Sequence, residues 1–285
     1  MNCTSSPTSQ SKRQAICCAL LIFPAIALGV LAMIWSGVSP ALWGQQLAAW
    51  AALSLLAHPL RRTFWRIPET VWMILLLILL ASSLLGAEIE GARRWLDMGF
   101  LNINVSMLIL PALLTVLDHA RYPHPLILSA AIVLCFQPDL SQLTAMSLAV
   151  LPLLWQNKEK RLWTTGILVA LGLLVFICMG TSVTLEPVPY CEGILALLSA
   201  KSPILYAAGC AALAAIPAGL LYRYFRQGKT GLLSIAIYYA VSMLFILSGD
   251  YPVPFMGFGL SPIAGYYLAY ISAPEHAGVS PAQPG

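Results

Sequence analysis

The chain has 285 residues; 59% are hydrophobic, 9% are charged, and the formal net charge is +4. That composition excludes a water-soluble globular protein, whose outer helix faces must meet water. It also excludes a nucleic-acid binder, because the basic residues are dispersed among apolar runs and form no basic face.

A membrane-spanning helix needs roughly 20 apolar residues, with a range of about 17–25. Ten candidate spans follow in chain order, at 14–35, 40–58, 68–86, 102–117, 123–137, 139–156, 162–183, 203–222, 230–248 and 257–273. The first opens a stretch from Arg13 to Arg61 without any Asp, Glu, Lys or Arg. It is too long for a signal-peptide core and no small-residue cleavage site follows, so it reads as a retained helix. Ser36-Gly37-Val38-Ser39-Pro40 is a turn cluster that separates it from the second. The fourth begins on two polar residues, Asn102 and Asn104, and the fifth is short. The end of the chain is polar, with Gly and Pro. The expected class is an all-α membrane protein, a polytopic bundle of about ten transmembrane helices. Residues 1–274 form a single integral membrane domain and 275–285 a disordered tail in this reading.

Ten spans place both termini on one side. Lys12, Arg13, Arg61, Arg62, Arg66, Arg121, Lys158, Lys160, Arg161, Arg223, Arg226 and Lys229 fall on that side. Only Arg93, Arg94 and Lys201 fall on the other. Loops rich in Lys and Arg face the cytoplasm, so both termini are expected there. Glu88, Glu90, Asp97, Asp139, Glu186, Glu192 and Asp250 sort to the outer side, where any chemistry is expected.

Four outer segments carry the candidate residues. Gly91-Ala92-Arg93-Arg94-Trp95 sets two arginines outside, against the topology rule. Arginine grips phosphate bidentately, and Trp95 suits the interface. The pair therefore binds a lipid-linked phosphate, or else anchors the loop to Glu88, Glu90 or Asp97. In Gln137-Pro138-Asp139-Leu140-Ser141-Gln142, Asp139 sits where it can cap the sixth span and Gln142 can reach back to it. In Gly249-Asp250-Tyr251-Pro252-Val253-Pro254-Phe255, the prolines make a plain turn or an irregular segment buried in protein. The loop from Glu186 to Ser202 holds Glu192, a solvated carboxylate unless the fold encloses it.

The sequence has no D-x-D, P-loop or G-x-G-x-x-G, so it offers no nucleotide site. Its seven cysteines and four histidines lack ligand spacing, so no metal site is expected. No cofactor is implied, and a divalent cation is left open.

Gly91-Ala92-Arg93-Arg94-Trp95, Gln137-Pro138-Asp139-Leu140, and Pro252-Val253-Pro254-Phe255 with Gly259 and Ser261 resemble, in order and spacing, the motifs of the SEDS proteins. This is the shape, elongation, division and sporulation family, and the resemblance runs from about Gly91 to Tyr270. It implies a SEDS-like fold and a bacterial inner-membrane glycosyltransferase that polymerises peptidoglycan from lipid II or another undecaprenyl-linked precursor. It also implies a class B penicillin-binding protein as partner, and a role in division, elongation or sporulation. The family's catalytic Asp follows a Leu-Pro in an outer loop; here Val188-Pro189-Tyr190-Cys191-Glu192 occupies that place, which makes Glu192 the implied catalytic residue. Arg93, Arg94, Trp95, Asp139, Asp250 and Ser261 are the implied substrate-binding residues. The chain departs from the family where Gln-Pro-Ser-Glu becomes Asn104-Val105-Ser106-Met107 and a nearby Lys becomes Leu110. Losing one member of a buried Glu–Lys pair costs about 3–5 kcal/mol, whereas losing both is often neutral. Two competing readings are a catalytically idle scaffold that binds a transpeptidase or division proteins, and a transporter of lipid-linked precursors. A transporter would need basic groups along a path through the bundle, and the sequence places them only at its two faces.

Overall fold

Inside a bilayer, backbone N–H and C=O groups find partners only within protein, so apolar runs of this length fold as helices. The computed structural model of the chain describes residues 7–64, 67–86, 88, 91, 93–97, 99, 102–156, 161–183 and 186–273. Its helices are α1 (Pro7–Trp35), α2 (Pro40–Phe64), α3 (Glu69–Ser82), α4 (Val105–Leu117), α5 (Pro123–Phe136), α6 (Leu140–Ala149), α7 (Leu151–Gln156), α8 (Arg161–Thr181), α9 (Ile194–Lys201), α10 (Pro203–Gln227), α11 (Thr230–Leu244) and α12 (Ser261–Ser272). The expected tail over 275–285, together with Arg66, Glu90, Lys158 and Lys160, lies outside the described residues.

The fold is an all-helical membrane architecture. Lys12–Trp35, Leu162–Thr181, Pro203–Gln227 and Thr230–Ser248 are each long and apolar enough to cross a bilayer. Three departures from the expected spans have local causes. The fourth begins as a strand, because Asn102–Asn104 pairs in a hairpin before the helix starts at Val105. The sixth is interrupted at Val150, ahead of Pro152, which has no N–H to continue the ladder. The connection from Glu186 to Ser202 contains α9, anchored by buried Ile194 and Leu198.

Helix α4 is the axis of the bundle. Every residue in it except Leu108 is buried. It is apolar on all sides, as a fully enclosed helix must be. Helices α3, α6, α11 and α12 pack around it, α2 closes over α12, and α1 and α10 pack together beyond. Leu110 is fully enclosed in this core, while Met107, buried at the start of the helix, faces the cleft described below. At the margin, α8 leaves Val169, Leu173 and Phe176 exposed, as a lipid-facing helix does. Helices α4 and α12 begin together at one end of the bundle, where Arg93 meets Glu88, Arg94 meets Asp139, and Glu192 lies near Asn104 and Ser261. At the other end, where both helices finish, Arg61, Asp118, Arg223 and Lys229 come together.

Candidate active site

Three irregular segments meet at the carboxylate-rich end. The first is a two-stranded antiparallel hairpin, β1 (Trp95–Asp97) with β2 (Asn102–Asn104), in which Trp95 faces Asn104. Its turn is closed by Asp97, whose Oδ1 accepts from Gly99 N at 2.7 Å. The hairpin passes directly into α4, and Asn104 caps that helix by accepting from Met107 N at 3.0 Å. The backbone N–H of Asn104 donates to Ser261 Oγ at 2.8 Å, which fixes the hairpin to the first residue of α12.

The second is the proline segment before α12. Val253 to Gly257 are buried although their backbone is not helical. Phe255 has φ +66, a left-handed conformation uncommon for an aromatic residue. Buried Gln46 of α2 holds it there: Gln46 Nε2 donates to Phe255 O at 2.8 Å and to Gly257 O at 3.3 Å. Of the two readings of this segment, the structure selects irregular backbone buried in protein, with its carbonyls satisfied by a neighbouring helix.

The third is the turn that carries Glu192. The N–H groups of Cys191 and Glu192 donate to Val188 O at 2.9 and 3.0 Å, a single helical turn ahead of α9. Glu192 Oε2 in return accepts from Val188 N at 2.9 Å. Turn and proline segment are joined through their backbones, Phe258 N donating to Tyr190 O at 2.9 Å. The Cys191 thiol donates to Phe258 O at 3.2 Å. Burial, and then the adjacent Glu192 carboxylate, push that thiol well above its ordinary pKa, so it stays a donor. The approach is so close that a Cβ on Gly257 would lie 2.3 Å from Cys191 O.

Between the three segments lies a cleft of about 240 Å³, lined by Trp95, Asn104, Met107, Tyr190, Glu192 and Ser261 among others. It brings together Trp95, Glu192 and Ser261 from the sequence reading. Arg93, Arg94, Asp139 and Asp250 are not among its walls. Arg93 is half exposed and pairs with Glu88 at 2.9 Å, the loop anchor that was one of its two readings. Arg94 and Asp139 are 3% and 2% exposed and face each other, Nε to Oδ2, at 3.8 Å. Arg94 Nη2 also donates to Pro138 O at 2.6 Å and Val183 O at 3.4 Å. Asp139 caps α6 as expected, accepting from Gln142 N at 3.2 Å. The side chain of Gln142 does not reach back. It accepts from Tyr238 OH and donates to Ser141 Oγ at 3.4 Å. Arg94 lies 5.8 Å from the centre of the Tyr251 ring, and burial and then Asp139 push the Tyr251 hydroxyl up to about 12, opposed by Arg94. Asp250 adjoins Tyr251 in the chain.

Gln46, Asn104 and Cys191 are the residues that reading motifs alone does not assign. Asn104 and Gln46 left a signal, as polar residues in apolar spans. Cys191 left none, because its role depends on a carbonyl 67 positions away.

The fold and the cleft define a polytopic helical membrane protein with a carboxylate-bearing site at one end. The chain shares its fold with the rod shape determining protein RodA of Thermus thermophilus, at a TM-score of 0.56 and 21% identity, over 89% of this chain and 94% of that one. A single-site variant of the same protein superimposes at a TM-score of 0.58 and 21% identity, over 89% and 95%. A chain in a peptidoglycan synthase complex that coordinates polymerization and crosslinking matches at a TM-score of 0.56 and 20% identity, over 89% and 96%. No protein-family model matches the sequence, and no curated protein matches it.

Proposed function

We propose that the protein is a glycosyltransferase that polymerises peptidoglycan strands from lipid II, or another undecaprenyl-linked precursor, at the outer face of a bacterial inner membrane. A class B penicillin-binding protein is its proposed partner, crosslinking the product in division, elongation or sporulation. The RodA-like fold supports this reading, and one observation carries it: Glu192 stands in a cleft with Trp95 and Ser261 at the acidic end of the bundle. Building a β-linkage from an α-linked lipid pyrophosphate requires inversion at the anomeric carbon. A base must take the proton from the attacking hydroxyl as the pyrophosphate leaves. Glu192 is that base in this proposal, and Trp95 offers a face to a sugar. Arg93 serves the pyrophosphate. Its present partner Glu88 is a surface ion pair worth about 0–1 kcal/mol, so exchange for a phosphate is cheap. Arg94 and Asp139 position the walls.

A second reading, the idle scaffold, is favoured by a specific contact. Glu192 already closes its own turn onto Val188 N. Glu192→Gln separates the two, because the amide oxygen can still accept from Val188 N but cannot serve as a base. Polymerisation of purified lipid II is expected to fall by at least roughly 10²-fold, with the amount of folded protein unchanged. Normal polymerisation by this variant would leave the scaffold reading in its place.

A further inference from the structure

The opposite end of the bundle has its own cavity, of about 60 Å³, several times what one water needs. Its walls come from α1, α2, α4, α10, α11 and α12, elements far apart in sequence. Three cationic residues converge on it: Arg61 of α2, Arg223 of α10, and Lys229 in the connection to α11. Asp118 is the single carboxylate among its lining residues, with His119 beside it at 3.8 Å. Three cationic side chains thus face one carboxylate.

One of these cations is buried and the other two, Arg223 and Lys229, are partly buried. Arg61 is 4% exposed, lies 4.7 Å over the ring of Tyr270, and donates from Nη1 to Gln14 Oε1 at 3.5 Å. Arg223 donates from Nη1 to the sulfur of Cys18 at 3.0 Å, a weak acceptor for a guanidinium. Burial first, and then the charges of Arg61 and Arg223, hold the Lys229 ammonium below its usual pKa, against a smaller pull from Asp118. The fold therefore gathers three cationic side chains around a polar hole, a setting that attracts an anion. Lys229 is also the N-cap of α11 and makes no side-chain cap, and Gly231 in the first turn lines the same cavity. The positive end of that helix adds to the field.

We infer that this cavity is a binding site for a phosphate-bearing anion, gripped by Arg61, Arg223 and Lys229. Three converging cations offer donors to more than two oxygens, which a phosphate supplies and a single carboxylate does not. The phosphate comes from the headgroup of an anionic lipid or from a soluble phosphate compound. This inference is independent of the chemistry proposed for Glu192.

The test uses the full chain in detergent, with native mass spectrometry and thermal unfolding as readouts. The probes are dioctanoyl phosphatidylglycerol, inorganic phosphate, and dioctanoyl phosphatidylcholine as the neutral reference. The expected result is retention of an anionic probe and a higher unfolding temperature than the neutral lipid gives. A response to the lipid alone identifies a headgroup, and a response to phosphate identifies a soluble ligand. Arg223→Gln with Lys229→Gln should weaken binding at least tenfold, while Arg226→Gln, exposed on the same helix, should leave it unchanged. Should the double variant not fold, Lys229→Gln alone, in a connecting segment, carries the comparison. Equal response to all three probes, or equal binding by the Lys229 variant, overturns the inference.

Discussion

Arg94 ties three segments at the cleft end of the bundle together, because one guanidinium reaches Pro138 O, Val183 O and the carboxylate of Asp139. Both charges are buried, so removing one strands the other, at about 3–5 kcal/mol. Arg94→Ala is expected to lower stability by about that amount, read as loss of folded protein on heating in detergent. Asp139→Asn keeps the acceptor for Gln142 N and removes the charge. Combined with Arg94→Leu it should therefore recover much of the loss. A combined loss equal to the sum of the single losses would show that the two side chains do not act as a pair. Arg93, by contrast, meets Glu88 at the surface, so Arg93→Ala should leave stability nearly unchanged. If it also leaves lipid II polymerisation unchanged, the proposed pyrophosphate role of Arg93 is wrong.

The cleft exists because a turn and a proline segment touch through their backbones. Gly257 allows that contact, since a Cβ there would meet the Cys191 carbonyl at 2.3 Å, and neither backbone is a flexible side-chain end. Gly257→Ala is expected to push the two segments apart and expose the half-buried Cys191 thiol, measured as faster alkylation of that position. Unchanged alkylation would mean that the segments yield without separating. Helix α4 makes the complementary point. With Leu110 in its enclosed face and Met107 at the wall of the cleft, it sets apolar side chains where the resembled family sets a Lys and a Glu. Leu110→Lys alone should cost several kcal/mol of stability, because an unpaired ammonium would be buried there. Adding Met107→Glu should restore part of it. A single Lys variant as stable as the parent would show that this part of the core reaches water.

At the scale of the whole molecule, the acidic cleft and the basic cavity occupy opposite ends of one bundle. The distribution of basic residues predicts that the cleft is outside and the cavity inside the cell. In intact cells, a cysteine at Glu186 should react with an impermeant reagent and one at Glu159 should not. The reverse pattern would invert the topology and remove the substrate side proposed for Glu192.

The apolar runs by themselves determined the helical class of the fold and the order of its main apolar segments, because a backbone in lipid has no other way to satisfy its hydrogen bonds. They also sorted the charges between the two ends, and the short motifs pointed to Trp95, Glu192 and Ser261, which the fold does gather. Sequence alone left Arg93 and Arg94 as equals. Only packing made the first a surface pair and the second a buried tie, since burial is a property of the neighbours a side chain meets. The same holds for Gln46, which stabilises the left-handed Phe255 from 209 positions away. It holds also for Arg61, Arg223 and Lys229, which read in the chain as ordinary cytoplasmic charges and converge on one cavity only once α2 is packed against the distant α10–α11 segment.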